Sequence, residues 1–176
     1  MADFDKPLFP LVFIGPMASG KTKIGKRVAR ALEVPFIDTD KRIVAEYGPI
    51  SEIFAREGED YFRVLEREAV AEAIATESVV SLGGGAVLHP DTQADLAECT
   101  VVYLYTDAAA VKDRVRGAKR PLLKNGIGDW QRIFDERRPT YEGLGGIRFD
   151  TSTRPVDRIA ADIVNWVNQN WKSETS

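Results

Sequence analysis

Gly15-Pro16-Met17-Ala18-Ser19-Gly20-Lys21-Thr22 (GPMASGKT) has the spacing of a phosphate-binding loop, G-x-x-x-x-G-K-[ST]. Its flanks decide the fold. Upstream, Leu8 to Ile14 is an apolar run with Pro10 near its start, as in a parallel strand buried on both faces. Downstream, Ile24, Val28 and Leu32 recur every four residues, while Lys23, Lys26, Arg27 and Arg30 take other faces, which predicts an amphipathic helix. A glycine-rich turn between strand and helix aims backbone N–H groups and a helix N-terminus at one spot, where they wrap polyphosphate. In that arrangement Lys21 reaches the β- and γ-phosphates and the Thr22 hydroxyl ligates Mg²⁺. The competing reading is an ordinary glycine-containing turn, and the periodicity on both sides weighs against it.

Apolar strand-like segments alternate with helical patterns along the rest of the chain, which predicts an α/β domain with a parallel sheet. Strands are expected at Leu11–Ile14, Pro35–Asp38, Val79–Leu82, Val101–Tyr105 and Arg148–Thr151. Helices are expected at Lys21–Leu32, Asp40–Tyr47, Ser51–Ala75 (with a break at Gly58), Asp91–Glu98, Ala108–Arg116, Asp129–Arg138 and Pro155–Trp171. Gly117–Gly128, with three glycines, a proline and the cations Lys119, Arg120 and Lys124, reads as a long functional loop such as a lid. Gly143–Gly146 reads as a second flexible joint.

A chain of 176 residues suits one domain, and 44% apolar with 29% charged residues is ordinary for a globular protein. The net charge of −3 gives no general attraction to nucleic acid or anionic lipid, so neither is an expected partner. One cysteine, Cys99, excludes an internal disulfide and reads as a buried structural thiol, and one histidine, His89, excludes a His-rich metal site. No signal-peptide pattern opens the sequence, and no apolar run approaches the roughly 18 residues of a membrane span. A cytoplasmic protein is expected.

The chemistry beyond the loop rests on carboxylates, glycines and arginines. The second strand ends in Asp38-Thr39-Asp40, and in an extended chain residues i and i+2 share a face, so both carboxylates could enter the crevice at the strand ends. One suits Mg²⁺ and the other a substrate hydroxyl, whose proton it could take; alternatively Asp40 caps the next helix. Ser81-Leu82-Gly83-Gly84-Gly85 lacks the Asp that many phosphate-loop ATPases carry at the end of such a strand, which shifts the metal role to Asp38 and Thr22. The glycines allow a ligand close to the backbone, or are simply a flexible turn. Arg63 is either an anion ligand or an i,i+4 surface partner of Glu59. Arg120 is either a lid cation over transferring phosphate or a solvated loop charge. Arg137 is either a bidentate carboxylate grip or a helix C-terminal charge.

Taken in order, GPMASGKTKIG, Asp38–Asp40, YFRVLE around Arg63, SLGGGAV at Ser81–Val87, RPLL at Arg120–Leu123 and RRPTY at Arg137–Tyr141 resemble the shikimate kinase family over nearly the whole chain. The resemblance implies a P-loop NTPase fold of the nucleoside-monophosphate-kinase kind. That fold is a three-layer αβα domain spanning residues 1–176, with a five-stranded parallel sheet in the order 2-3-1-4-5. A substrate-binding subdomain at about 38–66 and a lid at about 117–128 go with it. The implied activity is transfer of the ATP γ-phosphoryl group to the 3-hydroxyl of shikimate, with ATP and Mg²⁺, by a monomer serving aromatic amino-acid biosynthesis. Carried over by position, Arg63 and Arg137 look like the carboxylate clamp, and Asp40 with Gly84 and Gly85 like hydroxyl ligands, Asp40 being the base. Thr22 and Asp38 look like metal partners, Lys21 and Arg120 like stabilisers of the transferring phosphoryl. Arg114, Arg154 and Pro155 are similar to residues flanking adenine. Ala18 stands where the family frequently has glycine.

Rivals remain from other classes. A gluconate kinase would use the same arginine pair on another polyhydroxy acid. A nucleotide switch would carry an N-K-x-D guanine motif, which is absent, and a nucleic-acid ATPase is opposed by charge and size.

Overall fold

The structure, a computed structural model, describes residues 6–115 and 122–171. Its centre is a five-stranded sheet in the order β2-β3-β1-β4-β5, every neighbouring pair parallel. The strands are β1 (Leu11–Ile14), β2 (Phe36–Asp38), β3 (Val79–Ser81), β4 (Thr100–Tyr105) and β5 (Ile147–Asp150). β1 is the middle strand and all four of its residues are buried, which is why it reads as an unbroken apolar run.

Helices cover both faces. On one side α1 (Lys21–Leu32) and α8 (Val156–Asn170) pack Ile24, Val28, Ile159 and Ile163 against Leu11, Phe13 and Leu104. On the other, α4 (Glu59–Ile74), α5 (Pro90–Ala97), α6 (Ala108–Val115) and α7 (Ile127–Gly143) close over Val12, Ile14 and Tyr103. Burying each large side chain of these cores contributes roughly 1.5–3 kcal/mol. A third, smaller core of Ile43, Ile53, Phe62, Leu65 and Ala69 joins α2 (Thr39–Tyr47), α3 (Ile50–Glu57) and α4 beyond the edge of the sheet.

The expected elements are present, with shifted ends. The segment 51–75 is indeed two helices, interrupted by Gly58 at φ 86° and ψ 171°. One boundary was misread. Asp129–Arg138 was expected to stop before Pro139, yet α7 runs to Gly143 with Pro139 inside it, so Gly143 is helical and not part of a joint. An interior proline costs about 3 kcal/mol. Fully buried Tyr141, two residues on, opposes that cost by stacking on Tyr103 and donating to the Gly84 carbonyl at 2.5 Å. Cys99, expected to be buried, is half-buried just past the end of α5, and its Sγ donates to the Asp95 carbonyl. His89 caps α5, its Nδ1 accepting from the Asp91 N–H.

The C-terminal ends of the strands lie along one edge, where α/β sheets bind ligands. β1 delivers Gly15–Thr22 there, β2 delivers Asp38 and α2, and β3 delivers Leu82–Gly85.

Candidate active site

Residues Gly15–Gly20 wrap the start of α1 and open into a cleft of about 370 Å³ lined by Met17–Lys23, Asp38, Asp40, Gly83, Gly84, Arg114 and Arg154. Gly15, at φ 148°, is required: a Cβ there would sit 2.0 Å from the Leu104 carbonyl oxygen. Lys21 is buried, and its ammonium donates to the carbonyls of Gly15 and Pro16, both at 2.8 Å. Ala18 adopts φ 63°, a left-handed conformation that strains a residue with a Cβ by about 1–3 kcal/mol.

The sequence reading put Asp38 and Asp40 on one face of an extended strand. The geometry is different: β2 ends at Asp38, whose Oδ1 caps α2 by accepting from the Lys41 N–H at 3.1 Å, and Asp40 lies in the first helical turn. Asp38 is therefore the cap, the role weighed for Asp40. Both carboxylates still reach the cleft, because one turn of helix brings Asp40 over the strand ends. The Thr22 hydroxyl donates to Asp38 Oδ2 at 2.7 Å. A hydroxyl and a carboxylate oxygen in contact beside a phosphate cradle are the hard donors that Mg²⁺ takes with phosphate oxygens and water, so this pair fits the metal.

The other end of the cleft is a cluster of ions around three glycines. Arg63 donates to buried Glu66 at 2.8 Å and to Glu59 at 3.1 Å, so the surface pair weighed for it exists but is the weaker half of its environment. Burial opposes the Arg63 charge, yet Glu66 and Glu59 outweigh it and hold its pKa above the ordinary value. Arg137 is buried and interacts with Glu66 and with the Tyr141 hydroxyl. Burial pushes the Glu66 carboxyl up, against the pull of Arg63 and Arg137. A Cβ at Gly85 would lie 2.5 Å from Arg63 Nη1, and one at Gly84 would lie 3.4 Å from Arg137 Nη1. At Gly83 it would lie 2.6 Å from Asp40 Oδ1 and 3.0 Å from Glu66 Oε2. Each glycine thus faces ionic side chains: Gly83 two carboxylates, Gly84 and Gly85 one arginine each.

Asp40 stands where the two ends meet. Its pKa is pushed from 3.8 to about 6, first by burial and then by Glu66 and Asp38, against the opposing charges of Lys21 and Arg63. A carboxylate near that value is suited to accept a proton close to neutral pH.

The structure brings together Lys21, Thr22, Asp38, Asp40 and Gly84 in the cleft, with Arg63, Gly85 and Arg137 beside it. Arg114 lines the cleft while donating to the carbonyls of Ala18 and Thr151, at 2.9 and 3.2 Å. Arg154 pairs with Asp162, Pro155 caps α8, and Val156 and Ile159 form the apolar wall at that end. Arg120 and residues 117–121 of the expected lid lie outside the described residues. Glu66, Trp130 and Tyr141 carry no functional expectation from sequence. For Glu66 a signal existed, since YFRVLE places it three residues after Arg63 on the same helical face.

A family model described as "Shikimate kinase" matches residues 17–168. The chain is 44% identical over 156 residues to a shikimate kinase of Salinispora arenicola strain CNS-205, covering 86% of this chain and 93% of that protein. It is 42% identical over 159 residues to that of Mycobacterium avium strain 104, covering 88% and 90%. Among solved structures, shikimate kinase from Acinetobacter baumannii in complex with shikimate superimposes with a TM-score of 0.87 at 30% identity, covering 93% of this chain and 94% of that one. A gluconokinase from Sinorhizobium meliloti 1021 reaches a TM-score of 0.59 at 18% identity over 94% and 96% of the two chains, a likeness of fold alone.

Proposed function

The chain belongs to the shikimate kinase family, and from that premise we propose that it transfers the γ-phosphoryl group of ATP to the 3-hydroxyl of shikimate, giving ADP and shikimate 3-phosphate. The observation that carries this reading is the position of Asp40, whose carboxyl feels both Lys21 of the phosphate loop and Arg63 of the arginine cluster. An acceptor held by its acid group at Arg63 and Arg137 would present a hydroxyl to Asp40 and, across it, to the phosphate.

Phosphoryl transfer asks a protein mainly for alignment and charge stabilisation. The backbone of Gly15–Gly20 holds the phosphates, and Lys21 moves from the loop carbonyls to the transferring oxygens. Arg63, kept in place by Glu66, and Arg137 fix the acceptor carboxylate. Asp40 orients the hydroxyl and receives its proton. Mg²⁺, held through Thr22 and Asp38, neutralises phosphate charge when bound. Arg114, Arg154 and Pro155 are assigned to the adenine end, and Arg120 to a lid at about 117–128, which would exclude water. Residues 38–66 would form the acceptor-binding subdomain. One chain carries every residue named, so a monomer suffices. No helix among the described residues is long and apolar enough to cross a membrane.

A coupled ADP-release assay with shikimate, gluconate and nucleoside monophosphates tests the reading. ATP turnover is expected with shikimate; a higher kcat/KM with gluconate would transfer the assignment to the other acid. Within the proposed site, Arg63→Ala is expected to raise KM for shikimate roughly 10- to 100-fold, the worth of one or two lost charged hydrogen bonds. KM for ATP should change less than about threefold, whereas equal rises in both would mark a general distortion.

A further inference from the structure

Each carbonyl of the phosphate loop from Gly15 to Ser19 accepts a side-chain hydrogen bond, three of them from distant parts of the chain. Lys21 takes those of Gly15 and Pro16. The buried indole N–H of Trp130, on α7, donates to the Met17 carbonyl at 2.8 Å. Arg114, on α6, donates to that of Ala18, and the Thr151 hydroxyl, just past β5, to that of Ser19 at 2.8 Å. Thr151 Oγ1 also lies 3.3 Å from the Tyr105 carbonyl, the longer of its two contacts.

A peptide plane carries C=O of one residue and N–H of the next on opposite sides. Fixing the Met17 carbonyl therefore aims the Ala18 N–H to the side opposite Trp130, and fixing the Ser19 carbonyl aims the Gly20 N–H to the side opposite the Thr151 hydroxyl. The plane between them has its N–H in a 3.3 Å turn bond to the Pro16 carbonyl. Ala18, left-handed and strained, sits directly between the planes that Trp130 and Arg114 hold. Without those bonds a plane can rotate and turn an oxygen toward phosphate.

Trp130 has a second relation to the site. It lies eleven residues before Tyr141 on α7, about three full turns, so both project from the same helical face. Tyr141 donates to the Gly84 carbonyl. One helix thus fastens the phosphate loop at one end and the glycine turn at the other.

We propose that Trp130 and Thr151 are positioning residues for nucleotide binding, acting through the carbonyls of Met17 and Ser19. This rests on the assignment of Gly15–Thr22 as the ATP phosphate site. Trp130→Phe removes the N–H while keeping a ring beside Phe134; Thr151→Val removes the hydroxyl, and Thr151→Ser restores it. Calorimetric titration with ADP and Mg²⁺ is expected to show binding to the wild type, weakened roughly tenfold by Trp130→Phe and by Thr151→Val, and recovered to within about twofold in Thr151→Ser. KM for ATP should rise in parallel while KM for shikimate changes less than about threefold. A wild type that binds no ADP overturns the functional assignment itself. Wild-type ADP affinity in the variants, or a fall in melting temperature with equal rises in both KM values, overturns the positioning role. If Trp130→Phe fails to fold, the Thr151 pair decides alone.

Discussion

Lys21→Ala is expected to lower kcat about 10³-fold, the upper range for losing one charged donor aimed at a transition state. The ammonium already sits in the loop, bonded to the carbonyls of Gly15 and Pro16. Nucleotide arrival exchanges those neutral acceptors for phosphate oxygens, a stronger charge-assisted bond. Alanine removes the charge and releases two carbonyls together, so binding and chemistry both suffer. Lys21→Arg should recover little, because a planar fork does not replace a compact ammonium in a buried slot. Steady-state kinetics with shikimate, alongside circular dichroism to verify folding, measures this. A kcat within tenfold of wild type would remove Lys21 from the transition state.

Asp40→Asn is expected to reduce kcat by roughly 10²-fold or more, the usual worth of a positioned base. Its accompanying effects carry opposite sign. A carboxyl raised from 3.8 unfolded to about 6 folded binds its proton more tightly in the native state. Its contribution to stability is complete below pH 3.8 and is lost as pH rises through about 6. At pH 8 the ionised, partly buried carboxylate beside Glu66 and Asp38 is a burden, and asparagine removes it. The variant should therefore be more stable than wild type at pH 8 by about 1–3 kcal/mol, with the gain vanishing toward pH 4. Wild-type kcat/KM should climb with pH to about 6 and then level, a rise the variant lacks. Denaturant melts at pH 4 and 8 with pH–rate profiles measure both. A variant that is slower and equally unstable at pH 8 would mean that Asp40 is not held as a strained base.

Much of this was legible in the residues. The loop, the apolar β1 and the glycine break at Gly58 are local features, and local rules found them. The strand order and the acceptor came from resemblance to a family, since no spacing specifies either. What stayed hidden depends on burial. Glu66, three residues from Arg63, shows no special role in the sequence until the fold encloses it and gives it two arginines. Pro139 reads as a helix end because the penalty is local, while the opposing packing of Tyr141 comes from β4 and the glycine turn. Asp38 and Asp40 share the cleft not as i,i+2 neighbours on a strand but because β2 ends at Asp38 and Asp40 lies in the first turn of α2.

The pairing of the strands acts as a ruler for the reaction. Phe13 of β1 pairs with Ser81 of β3, and Ser81 pairs with Asp38 of β2. Two residues beyond Phe13 begins the phosphate loop, two beyond Ser81 begins the glycine turn, and two beyond Asp38 stands Asp40. The proposed positions of phosphate, acceptor and base are thus each the same short count from one row of the sheet. A slip of one residue between strands moves an element about 3.3 Å, while a misplacement near 1 Å can cost a hundredfold in rate. The distance between donor and acceptor is therefore set in the hydrogen-bonded ladder at the floor of the cleft.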